Sequence, residues 1–131
     1  LQFEKSEHLV SYQLDNDLLS NKTFEIQTSS GKLPLSYSLF EKDALIFKKL
    51  NSKKIFILEN TIPILTLECE DFPHLGIWTK KNAPFLCLEP WLGYSDAVTC
   101  SGNILEKEAI QIVEVNEVFE CQFTIEILAT S

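Results

Sequence analysis

Along most of this chain apolar and polar residues alternate with a period of two, the pattern of β-strands with one face buried. Phe119, Cys121, Phe123, Ile125 and Ile127 fall on one side of such a segment, with Glu120, Gln122, Thr124 and Glu126 on the other. Leu65, Leu67 and Cys69 alternate in the same way with Thr66, Glu68 and Glu70. Further strands are expected over 9–14, 24–27, 44–50, 54–59, 75–79, 84–89 and 110–115. These are short runs rich in Ile, Phe, Leu and Val, separated by Asn, Ser, Gly, Pro or Lys. Helical signals are weak: 35–41 reads as a short turn and 102–108 as a loop with some helical character. Asn60-Thr61, between two apolar runs, reads as a tight hairpin turn without the usual glycine. Many short strands and almost no helix predict an all-β protein, an antiparallel sandwich or barrel.

Composition narrows the function classes. The chain has 131 residues, one small domain's worth, with 45% hydrophobic and 23% charged residues, as in ordinary globular proteins. Its net charge is -8, and all 11 basic residues are lysines. The absence of arginine and of a basic face argues against nucleic acid as a partner and disfavours a tight phosphate clamp. No run approaches the roughly 18–20 apolar residues that span a bilayer, and no basic-then-apolar leader opens the chain. No membrane partner is therefore expected, and the location expected is cytoplasmic. The four cysteines form no Cys-x-x-Cys pair and no metal-like spacing with His8 and His74, so they are expected to be reduced, buried small hydrophobes. The chain begins with Leu and contains no Met, which suits a piece of a longer protein.

Phe85-Leu86-Cys87-Leu88-Glu89-Pro90-Trp91 carries the clearest chemical signal. Alternation puts Phe85, Cys87 and Glu89 on one side, so Glu89 ends an apolar strand facing where hydrophobes face. A carboxylate there is paired, solvated at a rim, or desolvated and functional, and the residues alone leave all three open.

Asp71-Phe72-Pro73-His74-Leu75-Gly76-Ile77-Trp78-Thr79-Lys80, then Ala83 to Trp91, then Gly93 and Asp96, resemble the C-terminal signature of the aldose 1-epimerase (galactose mutarotase-like) family. They are most similar to the bacterial branch associated with lactose-operon genes. Leu39–Phe47, Ser101-Gly102-Asn103, Glu106-Lys107-Glu108 and Phe119-Glu120 fit the same pattern, and the likeness extends over nearly the whole chain. It implies an antiparallel β-supersandwich of about twice this length, of which residues 1–131 are the C-terminal portion of a single domain. It also implies interconversion of the α and β anomers of a free aldohexose of galactose or glucose type, without a cofactor or metal. Carried over by position, Glu89 corresponds to the general base, Asp43 to a residue binding sugar hydroxyls, and Trp78 to an aromatic residue at the sugar cleft. Asp43 is equally a turn-former ahead of a strand, and Trp78 equally a core aromatic.

The family's acid and ligand histidines and its sugar-binding arginine lie upstream of the matching region. His74 stands where relatives often carry an aromatic and is read as structural, as is Cys87. His8 lies in a charged, exposed segment. The base is thus present and the acid missing. The alternatives to a mutarotase are a non-catalytic carbohydrate-binding protein and an inactive fragment of the family. The partner expected for this half is the N-terminal half of the same protein, or a second copy of the chain. Trp91 and Tyr94 are expected in a loop, walling the cleft or packing on the sandwich edge, and the lysine pairs, Lys48-Lys49 among them, at solvated strand ends.

Overall fold

A computed structural model describes residues 1–128 as two packed antiparallel sheets. In chain order the strands are β1 (Gln2–Phe3), β2 (Val10–Asp15), β3 (Leu18–Glu25), β4 (Leu45–Lys48), β5 (Lys54–Glu59), β6 (Ile62–Glu68), β7 (His74–Trp78), β8 (Cys87–Trp91) and β9 (Thr124–Ile127). One sheet runs β3-β2-β4-β7-β8 and the other β1-β5-β6-β9. Short 3₁₀ turns occupy Tyr37–Phe40 and Ile104–Glu106, within the two segments with weak helical signals. No helix among the described residues is long and apolar enough to cross a membrane.

The core forms where alternation brings the two sheets' apolar faces together. Leu45 pairs with Ile77 and Phe47 with Leu75 in the larger sheet, and all four are buried. They join one cluster with Phe3, Ile55 and Leu67 of the smaller sheet, and Leu86 and Leu88 pack against it. Full burial of each such side chain contributes about 1.5–3 kcal/mol relative to exposure. The first residue is drawn into the same arrangement: the Leu1 nitrogen donates to the Leu33 carbonyl at 2.7 Å.

Both hairpin turns in the strand-rich half are two residues long with left-handed backbone. Asn60 and Thr61 join β5 to β6 at φ of 48° and 74°, as the turn reading expected; Asn16 and Asp17 join β2 to β3 at 49° and 65°. Two consecutive positive φ values match the twist of the flanking strands. Asn and Asp tolerate this region, whereas Thr61 is β-branched and strained there.

Three expectations need correcting. Residues 110–115 form no strand, and of the long segment 119–127 only Thr124–Ile127 is strand. The ladder exists only where β9 meets a partner, with Leu65–Glu68 of β6 opposite Ile127–Thr124. Just upstream, the Gln122 amide donates to the Asp71 carboxylate at 2.8 Å instead. The apolar side of β9 is also not buried. Ile125 lies opposite Leu67 and therefore shares its inward face, yet Ile125 is 56% and Ile127 82% exposed. The two-sheet interior stays open along this edge because no described residue lies over it. Finally, the cysteines are all free as expected, but only Cys69 is buried; Cys100 and Cys121 are exposed.

Two outcomes follow. Thr61→Gly relieves the left-handed strain and should stabilise the full-length protein by about 1 kcal/mol, read as a higher urea midpoint at unchanged m-value. The open apolar edge at β9 should make residues 1–131 self-associate or unfold without cooperativity when expressed alone; a monomer on size-exclusion chromatography with a sharp thermal transition would contradict this.

Candidate active site

The β7–β8 ladder determines which side chains share the sheet face turned away from the core. Ile77 pairs with Leu88, both toward the core, so the flanking pairs point the other way: Gly76 opposite Glu89, Trp78 opposite Cys87 and His74 opposite Trp91. Ile46 and Lys48 of β4 continue the same face. Glu89 therefore shares a side with Cys87, as alternation expected, but that side faces away from the core. The inward hydrophobes are Leu86 and Leu88. Phe85 lies before β8 and stacks on Trp78, with ring centroids 5.6 Å apart at 50°.

Glu89 is half-buried at the centre of β8, the edge strand of this sheet. Its Oε2 accepts a hydrogen bond from the Trp91 indole Nε1 at 3.2 Å, and among the described residues no lysine or histidine forms an ion pair with it. Trp91 is the last residue of β8 rather than part of a loop. Its ring lies on Gly76: a Cβ at Gly76 would fall 2.4 Å from Trp91 Cζ2. A glycine inside a strand marks such a close approach, and Gly76 was the available signal that the sequence reading did not use. Burial first, and the Glu89 carboxylate second, push the Cys87 thiol above its ordinary value, so it stays protonated near neutrality and is a poor nucleophile.

Trp78 lies at one end of this face, and Asp43 precedes β4 at the same end of the sheet. Leu45 pairs with Ile77, which puts Asp43, two residues before Leu45, at the Trp78 end. Glu89 is two rungs further along, about 7 Å in strand rise. Asp43 is exposed, has φ of 109°, and its Oδ1 accepts from the Ala44 amide at 2.7 Å, the geometry of a turn-former. Trp78 is half-buried against Phe85, with mixed packing rather than core packing.

The opposite end is closed by a cluster that the sequence reading did not assemble. Lys48 Nζ lies 4.5 Å from the Tyr12 ring centroid and 4.6 Å from that of Tyr94, and donates to Glu108 at 2.8 Å. Lys48 is thus packed against aromatic rings and not at a solvated strand end, because the 92–109 segment folds back over β4. Burial acts to lower the Lys48 ammonium, but hydrogen bonds to Glu108 and Tyr94 outweigh it and its pKa is raised. Hydrogen bonds to Glu108 from Lys48 first and from Tyr94 second lower the Glu108 carboxyl, and burial with the Glu108 contact raises the Tyr94 phenol.

His74 lies beneath this cluster, buried and edge-on to Tyr94 with centroids 4.8 Å apart. Its Nδ1 is buried without a hydrogen-bond partner. Burial, then the Lys48 charge, lower its pKa. His74 is therefore neutral at pH 7 and unsuited to donate a proton, in keeping with its structural reading. His8 is exposed beside Glu25, its Nε2 3.3 Å from that carboxylate, outside this face. Among the described residues no group of three or more His, Cys, Asp or Glu is arranged to hold a metal ion.

A histidine whose folded pKa is depressed binds fewer protons than in the unfolded chain, so stability is lost as pH falls below the unfolded value of about 6.5. His74→Phe should remove this component: the variant's thermal midpoint should fall less than the wild type's between pH 7 and pH 5. Equal slopes for the two would show that His74 does not carry the linkage.

No protein-family model matches the chain. Over 76 residues, 56% of this chain, it is 40% identical to the chromosomal protein LacX of Lactococcus lactis subsp. lactis, covering 25% of that protein. The plasmid LacX of the same organism matches to the same extent. This likeness is shorter than the near-complete one expected. In structure, however, 98% of the chain superposes on a galactose mutarotase related enzyme from Lactobacillus acidophilus, with a TM-score of 0.83 and 24% identity, covering 44% of that chain. The chain thus spans a quarter of the curated relatives' length and less than half of the solved one. By sequence it is a relative of LacX and by fold it is mutarotase-like, spanning a part of that fold, in agreement with the resemblance carried by Asp71–Asp96.

Proposed function

We propose that this chain is the C-terminal portion of an aldose 1-epimerase-like protein, and that Glu89 is its general base. The observation that carries this reading is the state of Glu89: a half-buried carboxylate on an open sheet face, held by one indole N–H and not neutralised by a counter-ion among the described residues. Such a group accepts a proton without first breaking a salt bridge. The mutarotase-like fold and the kinship with LacX support the same reading.

In the proposed reaction the Glu89 carboxylate takes the proton of the anomeric hydroxyl while an acid protonates the ring oxygen. The electron pair of the O–H bond forms the C1 carbonyl, and the C1–ring-oxygen bond breaks to give the open aldehyde. Rotation about C1–C2 and reversal of both proton transfers then yield the other anomer. The acid comes from outside this chain, since burial holds His74 neutral and a histidine acid must carry its proton at the start of each turnover. Trp78, packed beside Phe85 at one end of the face, presents an amphipathic ring against which a pyranose can lie. Asp43 at the same end is the proposed partner of a sugar hydroxyl, and its carboxylate retains an oxygen beyond the one bound by Ala44. The substrate proposed is a free aldohexose of galactose or glucose type. A phosphate is disfavoured because the chain has no arginine.

The test is anomerisation of freshly dissolved α-galactose and α-glucose, followed by polarimetry or NMR. Full-length protein should accelerate it, and Glu89→Gln should lower kcat by about 10²–10⁴-fold, the usual share of a general base. Saturable sugar binding without acceleration would instead identify a non-catalytic carbohydrate-binding protein.

A further inference from the structure

We infer that Trp91 is a positioning residue for Glu89, and that Gly76 is kept free of a side chain so that the indole can reach it. The inference rests on the reading of Glu89 as the base. It starts from a geometric oddity. Residues two apart on a strand point the same way, but their side chains normally stand side by side without touching. Here Trp91 leans along the strand until its Nε1 lies 3.2 Å from Glu89 Oε2. The space it leans into is above Gly76, the residue directly opposite Glu89.

Nothing larger than glycine fits beneath the ring. A Cβ there would be 2.4, 2.7 and 2.9 Å from three atoms of the indole. Gly76 has no left-handed backbone to explain its choice, since the positive-φ glycines are Gly31 and Gly102. It is also in the middle of a strand, where glycine is otherwise destabilising. The contact with Trp91 accounts for it.

The hydrogen bond has a chemical consequence. An ionised carboxylate on an open face samples many rotamers about its terminal bond. The indole donor on Oε2 favours one orientation of the carboxylate, beside the Cys87 thiol that also contacts Glu89. Tryptophan supplies this donor without a competing acceptor, because the indole N–H is donor only. The ring is itself anchored by its packing on Gly76, so the donor is fixed by the scaffold and not by a mobile loop. Placement of this kind is worth up to about a hundredfold in rate when lost.

The test uses the full-length protein and two variants. Trp91→Phe keeps an aromatic ring on Gly76 but removes the N–H; Gly76→Ala keeps the N–H but displaces the ring. Both should lower kcat about tenfold to a hundredfold, with KM changed less than about twofold, because orientation of the base matters in the transition state and not in sugar binding. Independently of turnover, the indole ¹⁵N–¹H resonance of Trp91, assigned by its absence in Trp91→Phe, should shift in Glu89→Gln.

An unchanged kcat in Trp91→Phe, a rise in KM at constant kcat, or an indole resonance indifferent to Glu89→Gln would each overturn the positioning role. Should Gly76→Ala fail to fold, Trp91→Phe and the resonance still decide the matter. A wild-type protein that binds sugar without anomerising it, yet whose indole resonance responds to Glu89→Gln, would strike the mutarotase reading while upholding the coupling of Trp91 to Glu89.

Discussion

The register between β7 and β8 is the constraint on which the rest of the site depends. With Gly76 opposite Glu89, Ile77 and Leu88 enter the core, and everything chemical on the two strands faces the other way. Side-chain direction in a sheet has a period of two, so a slip of one residue would carry Glu89 inward and Leu88 outward. Packing of Leu86 and Leu88 against the core opposes that slip. The stability of the core and the exposure of the carboxylate are thus two consequences of one alignment.

The same face carries two neighbourhoods of different electrostatic character. Around Glu89 the neighbours are a thiol, a glycine and aromatic rings, with no cation paired to the carboxylate among the described residues. Two rungs away, Lys48, Glu108 and Tyr94 satisfy one another over a buried neutral histidine. The Lys48–Glu108 pair fastens the segment after β8 across β4, and the tight approach of Gly93 to the Ala109 carbonyl, 3.2 Å from a Cβ built there, brings the two ends of that segment together. The closed end is held by charges that neutralise one another, whereas the carboxylate two rungs away has no such partner among the described residues.

Much of this was legible in the residues. Alternation identified β5 to its ends and most of β2, β6 and β7, and the all-β class followed from the number of short strands. The signature around Cys87–Trp91 pointed to the mutarotase-like fold that the structural comparison supports. Alternation failed where a strand needs a partner. Residues 110–115 and 119–123 have strand-like composition but meet no ladder, and an isolated β-segment gains neither cross-strand hydrogen bonds nor burial. The expectation that an apolar stripe is a buried stripe failed at Ile125 and Ile127 for the related reason that no described residue covers them.

Sequence by itself determined the local matters: which segments can alternate, where the chain turns at Asn60-Thr61, and that a glutamate lies in the strand after Phe85. That strand runs Cys87–Trp91 with Glu89 at its centre and does not end there as expected. It could place Cys87 and Glu89 on one side, since that follows from backbone geometry alone. It could not say which side is the core, because Phe85, Leu86, Cys87 and Leu88 are all apolar and the decision is made by what packs on them. Nor could it bring Trp91 onto Gly76, or Lys48 to Glu108 sixty residues away. Those contacts depend on strand register and on the path of a long segment, and both are set only when the two sheets close on a common core.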